Sequence, residues 1–276
     1  MLWNGKRGRL AADLLTLLAC SDDDSPTGPH HHGPTGGGGH KGPLPVHLAT
    51  EEAAGVRVDL RGPEHLLTGY AELQLILTEV DGDNHVHGAT VTVRPVMPMA
   101  MDDGGTMVHG APSETPARHD HEAGLYSNSV VLLMPGTWHL EVAFLAGEVA
   151  GSVTFELEVG QGGKLVALEG SDGTSYFVAL VGPGQPDVGK QELEIAVYRR
   201  ESSNSFPPVT DLEVEFEPSM PAMEHGSPDN EQPLHLENGR YRGKVNFTMT
   251  GDWRVELDLQ RAGVSLGVVE FDLSVN

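Results

Sequence analysis

The chain has 276 residues, and its 17 Lys and Arg against 40 Asp and Glu give a formal net charge of −23 at pH 7. This acidity excludes nucleic acid and anionic membrane surfaces as partners, because both require clustered Lys and Arg. The length allows two domains of ordinary size, and the single cysteine excludes an internal disulfide framework.

The N-terminus resembles a bacterial lipoprotein signal. Three basic residues precede a short apolar stretch that ends in Leu-Leu-Ala-Cys at residues 17–20. The run resembles the lipobox of lipoproteins, which implies that residues 1–19 are a signal peptide and that Cys20 carries the lipid anchor. The alternative is an ordinary N-terminal helical turn with a free thiol.

Residues 20–54 follow as a predicted flexible stalk. Positions 21–45 are too rich in Gly, Pro, Asp and His to fold. Their histidines favour either an accessory metal site or a polar tether with incidental imidazoles. The candidate ligands of that accessory site are His30, His31 and His32.

Short runs of alternating apolar residues dominate the chain from about residue 55 onwards. This two-residue period is typical of half-buried strands, and the Gly, Pro and Asp turns between the runs favour antiparallel β-sandwiches. We therefore predict an all-β chain with a first domain at 55–160 and a second at 164–276. The Gly-rich stretch 160–163 marks their boundary.

The two halves repeat one pattern, which indicates one fold unit used twice. Tyr126 precedes Trp138 by twelve residues, and Tyr241 precedes Trp253 by twelve. A methionine stands four residues before each Trp and continues an alternating apolar face. We expect all of these side chains in the cores, including those two methionines, Met134 and Met249.

A loop rich in Met and His recurs in both halves. Residues 220–226 read Met-Pro-Ala-Met-Glu-His-Gly, and residues 97–110 carry more methionines before their own Met-Val-His-Gly. Thioether sulfur and imidazole are soft donors that suit Cu(I), and thioethers survive an oxidising compartment. The alternative is methionine as an adaptable filler at the end of each sandwich. The candidate ligands are Met220, Met223, His225, Met97, Met99, Met101, Met107 and His109.

Other histidines lie near these loops. His85 and His87 belong to a predicted hairpin loop and would face the same way if extended. They are either solvated loop residues or an accessory site for Cu(II) or Zn(II). His119 and His121 lie farther along the insertion that carries the first Met/His loop.

The order of strand, MPxMxHG loop, GxY and MxGxW resembles the YtkA-like/FixH-like domain family, in two tandem copies. The segment 220–253 matches closely, and the segment 97–138 has extra residues between its Met cluster and Tyr126. The resemblance implies immunoglobulin-like β-sandwiches, exported or membrane-tethered, with a link to copper handling or oxidase assembly.

The sequence therefore predicts an extracytoplasmic, lipid-anchored copper-binding protein on a bacterial membrane. Such a carrier, buffer or metallochaperone could pass Cu(I) to a membrane oxidase or a copper exporter. The alternative is a metal-free immunoglobulin-like interaction module tethered to the membrane. We expect no enzyme, because the chain has no nucleophile elbow, metalloprotease motif, phosphate loop or dinucleotide fingerprint.

Overall fold

The structure is a computed structural model that describes residues 45–82, 84–101 and 104–276, and these residues form strands almost throughout. The first ten strands are β1 (Val46–Ala53), β2 (Val56–Gly62), β3 (Leu66–Leu67), β4 (Gly69–Glu79), β5 (Thr90–Ala100), β6 (Thr106–Gly110), β7 (Arg118–Asp120), β8 (Leu125–Leu132), β9 (Gly136–Ala146) and β10 (Val149–Gly160). The next strands are β11 (Leu165–Glu169), β12 (Ser175–Gly182), β13 (Gly189–Arg199), β14 (Glu213–Met220), β15 (His225–Gly226), β16 (Glu231–His235), β17 (Arg240–Phe247), β18 (Gly251–Arg261) and β19 (Val264–Val275), with a 3₁₀ turn at Pro221–Met223.

The strands form two sandwiches in tandem. In sandwich 1, the sheet β1-β2-β4-β8-β7 faces the sheet β3-β10-β9-β5-β6, and only the short β3–β10 pairing is parallel. In sandwich 2, the sheet β11-β12-β13-β17-β16 faces the sheet β15-β14-β18-β19. This confirms the predicted all-β class with two tandem sandwiches.

Alternation along each strand supplies the two cores. Leu73, Leu75 and Leu77 of β4 are at most 1 % exposed, and their counterparts on β13 are fully buried. Side chains of successive residues point to opposite faces of a sheet, so one face of each strand enters the core and the other stays outside.

The repeated tryptophans anchor the cores by packing and by one hydrogen bond each. Trp138 and Trp253 are each 1 % exposed, and their indole Nε1 atoms donate to the carbonyl oxygens of Met134 at 2.9 Å and Met249 at 3.0 Å. The Met134 side chain packs partly buried against the core. The expectation that Met249 is a core residue is wrong: its side chain is 38 % exposed. Strand β17 ends at Phe247, so the alternation stops before Met249, and its backbone rather than its side chain holds the Trp.

The repeated tyrosines fix the loop that crosses from one sheet to the other. The Tyr126 hydroxyl donates to Val86 O at 2.7 Å and accepts from Ala89 N at 2.9 Å, both in the β4–β5 loop. Tyr241 makes the equivalent pair of bonds to the β13–β14 loop of sandwich 2. Both rings are fully buried, so these side chains are structural, as expected.

The two sandwiches pack against each other through a third apolar cluster. Val131 of sandwich 1 lies in this cluster with Ala179, Ala196 and Tyr198 of sandwich 2, all at most 2 % exposed. At the edge of the contact, Arg118 donates from Nη1 to Glu237 Oε1 at 2.9 Å. These contacts connect sandwich 1 and sandwich 2 in addition to the linker.

One expectation on the N-terminal side is wrong. The predicted stalk at 20–54 ends too late, because β1 pairs with β2 from Val46 opposite Gly62 to Ala53 opposite Val56. β1 is an edge strand with several exposed polar residues, and it is held by backbone pairing with β2 and by Leu48, Ala49 and Ala53, which pack partly buried against the core. The predicted signal peptide, Cys20 and the candidates His30, His31 and His32 lie outside the described residues. Within the described ranges, no helix is both long and apolar enough to cross a bilayer.

Candidate metal centre

The Met/His loop of sandwich 2 is a tight hairpin. Strand β14 ends at Met220, the chain turns through the 3₁₀ segment that starts at Pro221, and Glu224 adopts the left-handed conformation with φ 51°. Strand β15 then runs back so that His225 pairs directly opposite Met220. Directly opposed residues of an antiparallel pair project from the same face of the sheet, with Cβ atoms about 4.5–5.5 Å apart. The hairpin therefore brings the thioether and the imidazole together.

Both donors lie over the start of β18. A Cβ atom added to Gly251 would lie only 2.9 Å from Met220 Cε, so the Met220 methyl group rests on the bare Gly251 backbone. The His225 ring meets the Trp253 ring edge-on, with centroids 5.8 Å apart and an interplanar angle of 78°. Gly251 and Trp253 are two residues apart on one strand and share a face. Met220 and His225 thus contact one continuous surface.

The hydrogen bonding of His225 leaves one ring nitrogen available as a ligand. Nδ1 lies 2.9 Å from Gly226 O, and a carbonyl oxygen only accepts, so Nδ1 carries the hydrogen of the neutral ring. Nε2 then holds the free lone pair. Nε2 is buried and has no hydrogen-bond partner. A buried acceptor without a partner is costly unless a ligand satisfies it.

An open groove lies beside this pair. It encloses about 550 Å³ and is lined by Met220 and His225 together with charged side chains that include Glu217, Arg254 and Glu256. Met223 is presented differently, because it sits on the 3₁₀ turn with 56 % of its surface exposed. The structure therefore groups Met220 with His225 and leaves Met223 facing solvent at the tip of the hairpin.

Sandwich 1 contains the same pair on a longer hairpin. Met97 of β5 lies opposite His109 of β6, and Met99 lies opposite Met107 on the same hairpin face. Met97 is 7 % exposed, and a Cβ atom added to Gly136 would lie 3.2 Å from its Cε atom. The contact of the Met97 methyl group with Gly136 is therefore equivalent to the contact of the Met220 methyl group with Gly251.

The remaining methionines of this hairpin are exposed. Met99, Met101 and Met107 have 42 %, 37 % and 44 % of their surfaces accessible. Met99 and Met107 share the hairpin face of Met97 and His109, since each lies two residues from one of those positions along the paired strands, and Met101 directly follows the end of β5 at Ala100. A row of soft donors thus runs from the buried Met/His pair to the exposed end of the hairpin.

The structure also unites histidines that the sequence left apart. His85 and His87 meet His119 and His121, with ring centroids of 5.6 Å between His87 and His119 and 4.1 Å between His119 and His121. The sequence placed His119 and His121 along the insertion that carries the first Met/His loop. It did not predict their contact with His85 and His87. The sequence signal that could have linked them is that both segments read His-x-His. Their approach depends on contacts with Tyr126, which only the tertiary structure shows.

The described ranges contain no group of three or more His, Cys, Asp or Glu side chains already placed to hold a metal ion. The Met/His pairs are of another kind, since half of their donors are thioethers. Soft thioether and imidazole donors select Cu(I), whereas carboxylates and water favour harder ions.

The comparisons with known proteins agree with the repeated architecture. The YtkA-like family model matches residues 50–143 and 171–258, and the chain belongs to this family. Two matched segments are what two tandem copies of the domain produce, as the repeat predicted. The sheets described above give each copy the predicted immunoglobulin-like sandwich form.

No curated protein matches the sequence. Among solved structures, the chain is similar to the Escherichia coli adhesin FdeC, with 14 % identity, 83 % of this chain and 66 % of that chain covered, and a TM-score of 0.28. It is also similar to domains 5–6 of the S-layer protein SbsC, with 14 % identity, 84 % and 99 % coverage and a TM-score of 0.32. The chain thus spans just under two thirds of the adhesin fragment. At these identities and TM-scores the similarity carries no argument about function.

Proposed function

We propose that this chain is a non-catalytic, extracytoplasmic copper-binding protein, in which a Met/His pair in each sandwich holds Cu(I). Met220 and His225 form the pair of sandwich 2, and Met97 and His109 form that of sandwich 1. The role is to carry or buffer copper outside the cytoplasm.

One observation carries this proposal: the same cross-strand Met/His pair occurs twice, each time over a glycine two residues before the buried Trp. Packing alone accounts for a repeated methionine over a repeated glycine. It does not account for a repeated imidazole beside it, and it gives no partner to the buried Nε2 of His225.

The donor set suits reversible binding. A thioether and a neutral imidazole are uncharged ligands that favour Cu(I) without requiring a bound carboxylate. The exposed sulfurs of Met99 and Met107 offer further positions toward solvent, and Met223 does so in sandwich 2. Stepwise exchange along such donors is a route by which Cu(I) could pass to a membrane oxidase or a copper exporter.

The proposed location rests on the resemblance of residues 17–20 to a lipobox. Acylation of Cys20 would anchor the chain to a bacterial membrane, and the Gly- and Pro-rich residues that follow would hold the sandwiches away from its surface. The net charge of −23 discourages direct contact between the sandwiches and anionic lipids.

The test is a Cu(I) titration of the full chain against a competing Cu(I) chelator. Met220→Leu/His225→Gln should lower the tightly held Cu(I) by about one equivalent, because both soft donors of sandwich 2 are gone. Leu replaces Met in a core at a cost of less than about 1.5 kcal/mol, so the fold should persist. Circular dichroism checks the fold of each variant.

A matched control removes one Met and one His from the same sandwich but outside the pair. Met249→Leu/His235→Gln should bind Cu(I) as the parent does. Equal losses in both variants would overturn the assignment of the site. No saturable binding by the parent would overturn the function.

A second function is a metal-free interaction module, and one observation favours it. The β5–β6 hairpin exposes the directly opposed side chains of Met99 and Met107 on one face and Val108 on the other. Exposed apolar groups of this kind are common at protein interfaces. Absence of Cu(I) binding in the titration would leave this module as the better explanation.

A further inference from the structure

Sandwich 1 brings together two His-x-His segments that lie far apart in the chain. His85 and His87 flank Val86 in the β4–β5 loop, and His119 and His121 flank Asp120 where β7 enters its turn. Alternate residues of an extended segment face the same way. Each segment can therefore present two imidazoles to one side.

Hydrogen bonds and strand pairing hold the two segments beside β4 and β8. Val86 donates from its amide to Leu77 O at 2.8 Å and accepts from the Tyr126 hydroxyl at 2.7 Å. His119 pairs opposite Tyr126, and its ring stacks on the Tyr126 ring with centroids 4.4 Å apart and 15° between the planes. Tyr126 is thus the common support that positions both His-x-His segments.

The four rings form a continuous cluster. Ring centroids lie 6.3 Å apart for His85 and His87, 5.6 Å for His87 and His119, and 4.1 Å for His119 and His121. Two imidazoles on one tetrahedral Zn²⁺, with Zn–N bonds of about 2.0–2.1 Å, have centroids about 5 Å apart. The His87–His119 and His119–His121 separations lie within about 1 Å of that value, and His85 stands slightly farther from His87.

The rings do not yet converge on one point, since the described ranges hold no group of three or more such side chains already placed for an ion. His85, His87 and His121 are exposed and have room to turn about their side-chain torsions. His119 is held by the Tyr126 stack and provides the fixed position toward which they turn.

His119 is the unusual member of the cluster. Both of its ring nitrogens are buried and have no hydrogen-bond partner. A neutral imidazole offers the lone pair that a metal ion requires.

Nearby carboxylates do not complete the group. Asp120 Oδ1 accepts from the amides of Glu122 at 2.9 Å and Ala123 at 3.0 Å, so this oxygen is engaged in its own turn. The cluster offers imidazole rather than mixed carboxylate chemistry. Imidazole donors suit Zn²⁺, Cu²⁺ and Ni²⁺.

From this juxtaposition we infer that His85, His87, His119 and His121 form a second metal site, for a divalent transition-metal ion. The inference is independent of the Cu(I) proposal, since it uses no residue of the Met/His pairs. Sandwich 2 lacks such a site among its described residues: His235 lies over Tyr241 with centroids 5.2 Å apart, and the corresponding β13–β14 loop contains no histidine.

Zn²⁺ is the probe that separates the two sites, because each Met/His pair offers it one imidazole whereas the cluster offers four. Titration of the full chain with Zn²⁺, against a competing chelator, should reveal a site that His87→Gln/His121→Gln weakens by about tenfold or more. Both of these positions are exposed, so the double variant should fold. His119→Gln should weaken the site similarly, and nitrogen-15 spectra of the imidazoles should show the four rings shifting on Zn²⁺ addition.

Two further variants complete the test. His235→Gln, a histidine over the equivalent tyrosine, should bind Zn²⁺ as the parent does, and so should Met220→Leu/His225→Gln. Zn²⁺ binding that is unchanged in His87→Gln/His121→Gln would overturn the inference and assign the metal to other histidines. Loss of Zn²⁺ binding in Met220→Leu/His225→Gln would also overturn it. Neither result tests the Cu(I) proposal, which depends only on the Cu(I) titration.

Discussion

Sandwich 1 and sandwich 2 place the same Met/His pair over the same Gly-x-Trp strand start but connect its two members differently. In sandwich 2 the 3₁₀ turn Pro221–Met223 and Glu224 join the two members, whereas in sandwich 1 residues 98–100 pair with residues 106–108 and extend the two strands beyond the pair. The geometry of the pair survives this change of loop, because antiparallel pairing alone places the two side chains on one face. The two sandwiches therefore share the Met/His pair, and sandwich 1 adds exposed methionines on its longer hairpin.

The histidines over the repeated tyrosines differ as well. His119 stacks on Tyr126 among three more imidazoles, while His235 lies tilted over Tyr241 at 59°. The same strand position therefore carries a histidine in both sandwiches, and only sandwich 1 surrounds it with others. Loop residues, which do not enter the core, account for this divergence.

The largest effect should come from removing the equivalent tryptophans. Trp138→Ala and Trp253→Ala should each lower the free energy of unfolding of their own sandwich by about 3–5 kcal/mol, because each leaves a large cavity in a closed core. Denaturant unfolding of each variant measures this loss. A loss below about 1 kcal/mol in either sandwich would contradict the equivalence of the two cores.

Substitution of the glycines under the two methionines should have an intermediate effect. Gly136 and Gly251 have φ of +125° and +129°, and a Cβ atom would lie 3.2 Å and 2.9 Å from the methionine methyl groups. Ala at either position should cost about 1–3 kcal/mol through backbone strain, with the larger cost at Gly251 because its contact is closer. Denaturant unfolding measures both.

The control for these glycines is Gly263, which has φ +72° and nothing within 4 Å of an added Cβ atom. Gly263→Ala should cost about 1 kcal/mol from the left-handed backbone alone. If all three substitutions lower the free energy of unfolding equally, the methionine contacts contribute nothing to the cost at Gly136 and Gly251. The Met/His pairs of the two sandwiches would then be similar only in strand register.

Loss of the tyrosine hydroxyls should have a smaller and similar effect in both sandwiches. Tyr126→Phe and Tyr241→Phe each leave one carbonyl and one amide without a partner, at a cost of about 1–2 kcal/mol. Amide hydrogen exchange should accelerate at Ala89 in the first variant and at Leu212 in the second. Faster amide exchange in only one sandwich would show that the two tyrosines do not hold their loops in the same way.

The smallest effect should come from a cross-strand ion pair whose members differ between the sandwiches. Arg254 Nε lies 2.9 Å from Asp272 Oδ1 in sandwich 2, and the equivalent pair in sandwich 1 is His139 with Glu156 at 3.8 Å. The hydrogen bond from Arg254 lowers the pKa of Asp272. The pair therefore stabilises the fold above the unfolded pKa of about 3.9, and this contribution is lost as pH falls through the lowered folded pKa.

Carboxyl titration by NMR checks this prediction. Arg254→Gln should raise the pKa of Asp272 toward its unfolded value and flatten the acid limb of the stability curve of sandwich 2. An Asp272 pKa that does not move would show that the pair contributes nothing in solution, as is common for exposed ion pairs.

Much of the architecture follows from local sequence patterns. Alternation predicts strands because a pleated strand must bury one face, and the repeated spacing of Tyr126 to Trp138 and Tyr241 to Trp253 predicts two copies of one unit. Strand ends are harder to predict. The predicted stalk extends into β1, and the core prediction for Met249 ignores the end of β17 at Phe247.

The sequence by itself determined the all-β class, the duplication and the residue types of the candidate metal centre, since each is written in the order and spacing of side chains. Only the tertiary structure decided which donors meet. Strand register placed His225 opposite Met220, a carbonyl fixed the proton of His225 on Nδ1, and packing against Tyr126 united two distant His-x-His segments. Such contacts depend on pairing between segments far apart in the chain, which no local pattern of residues encodes.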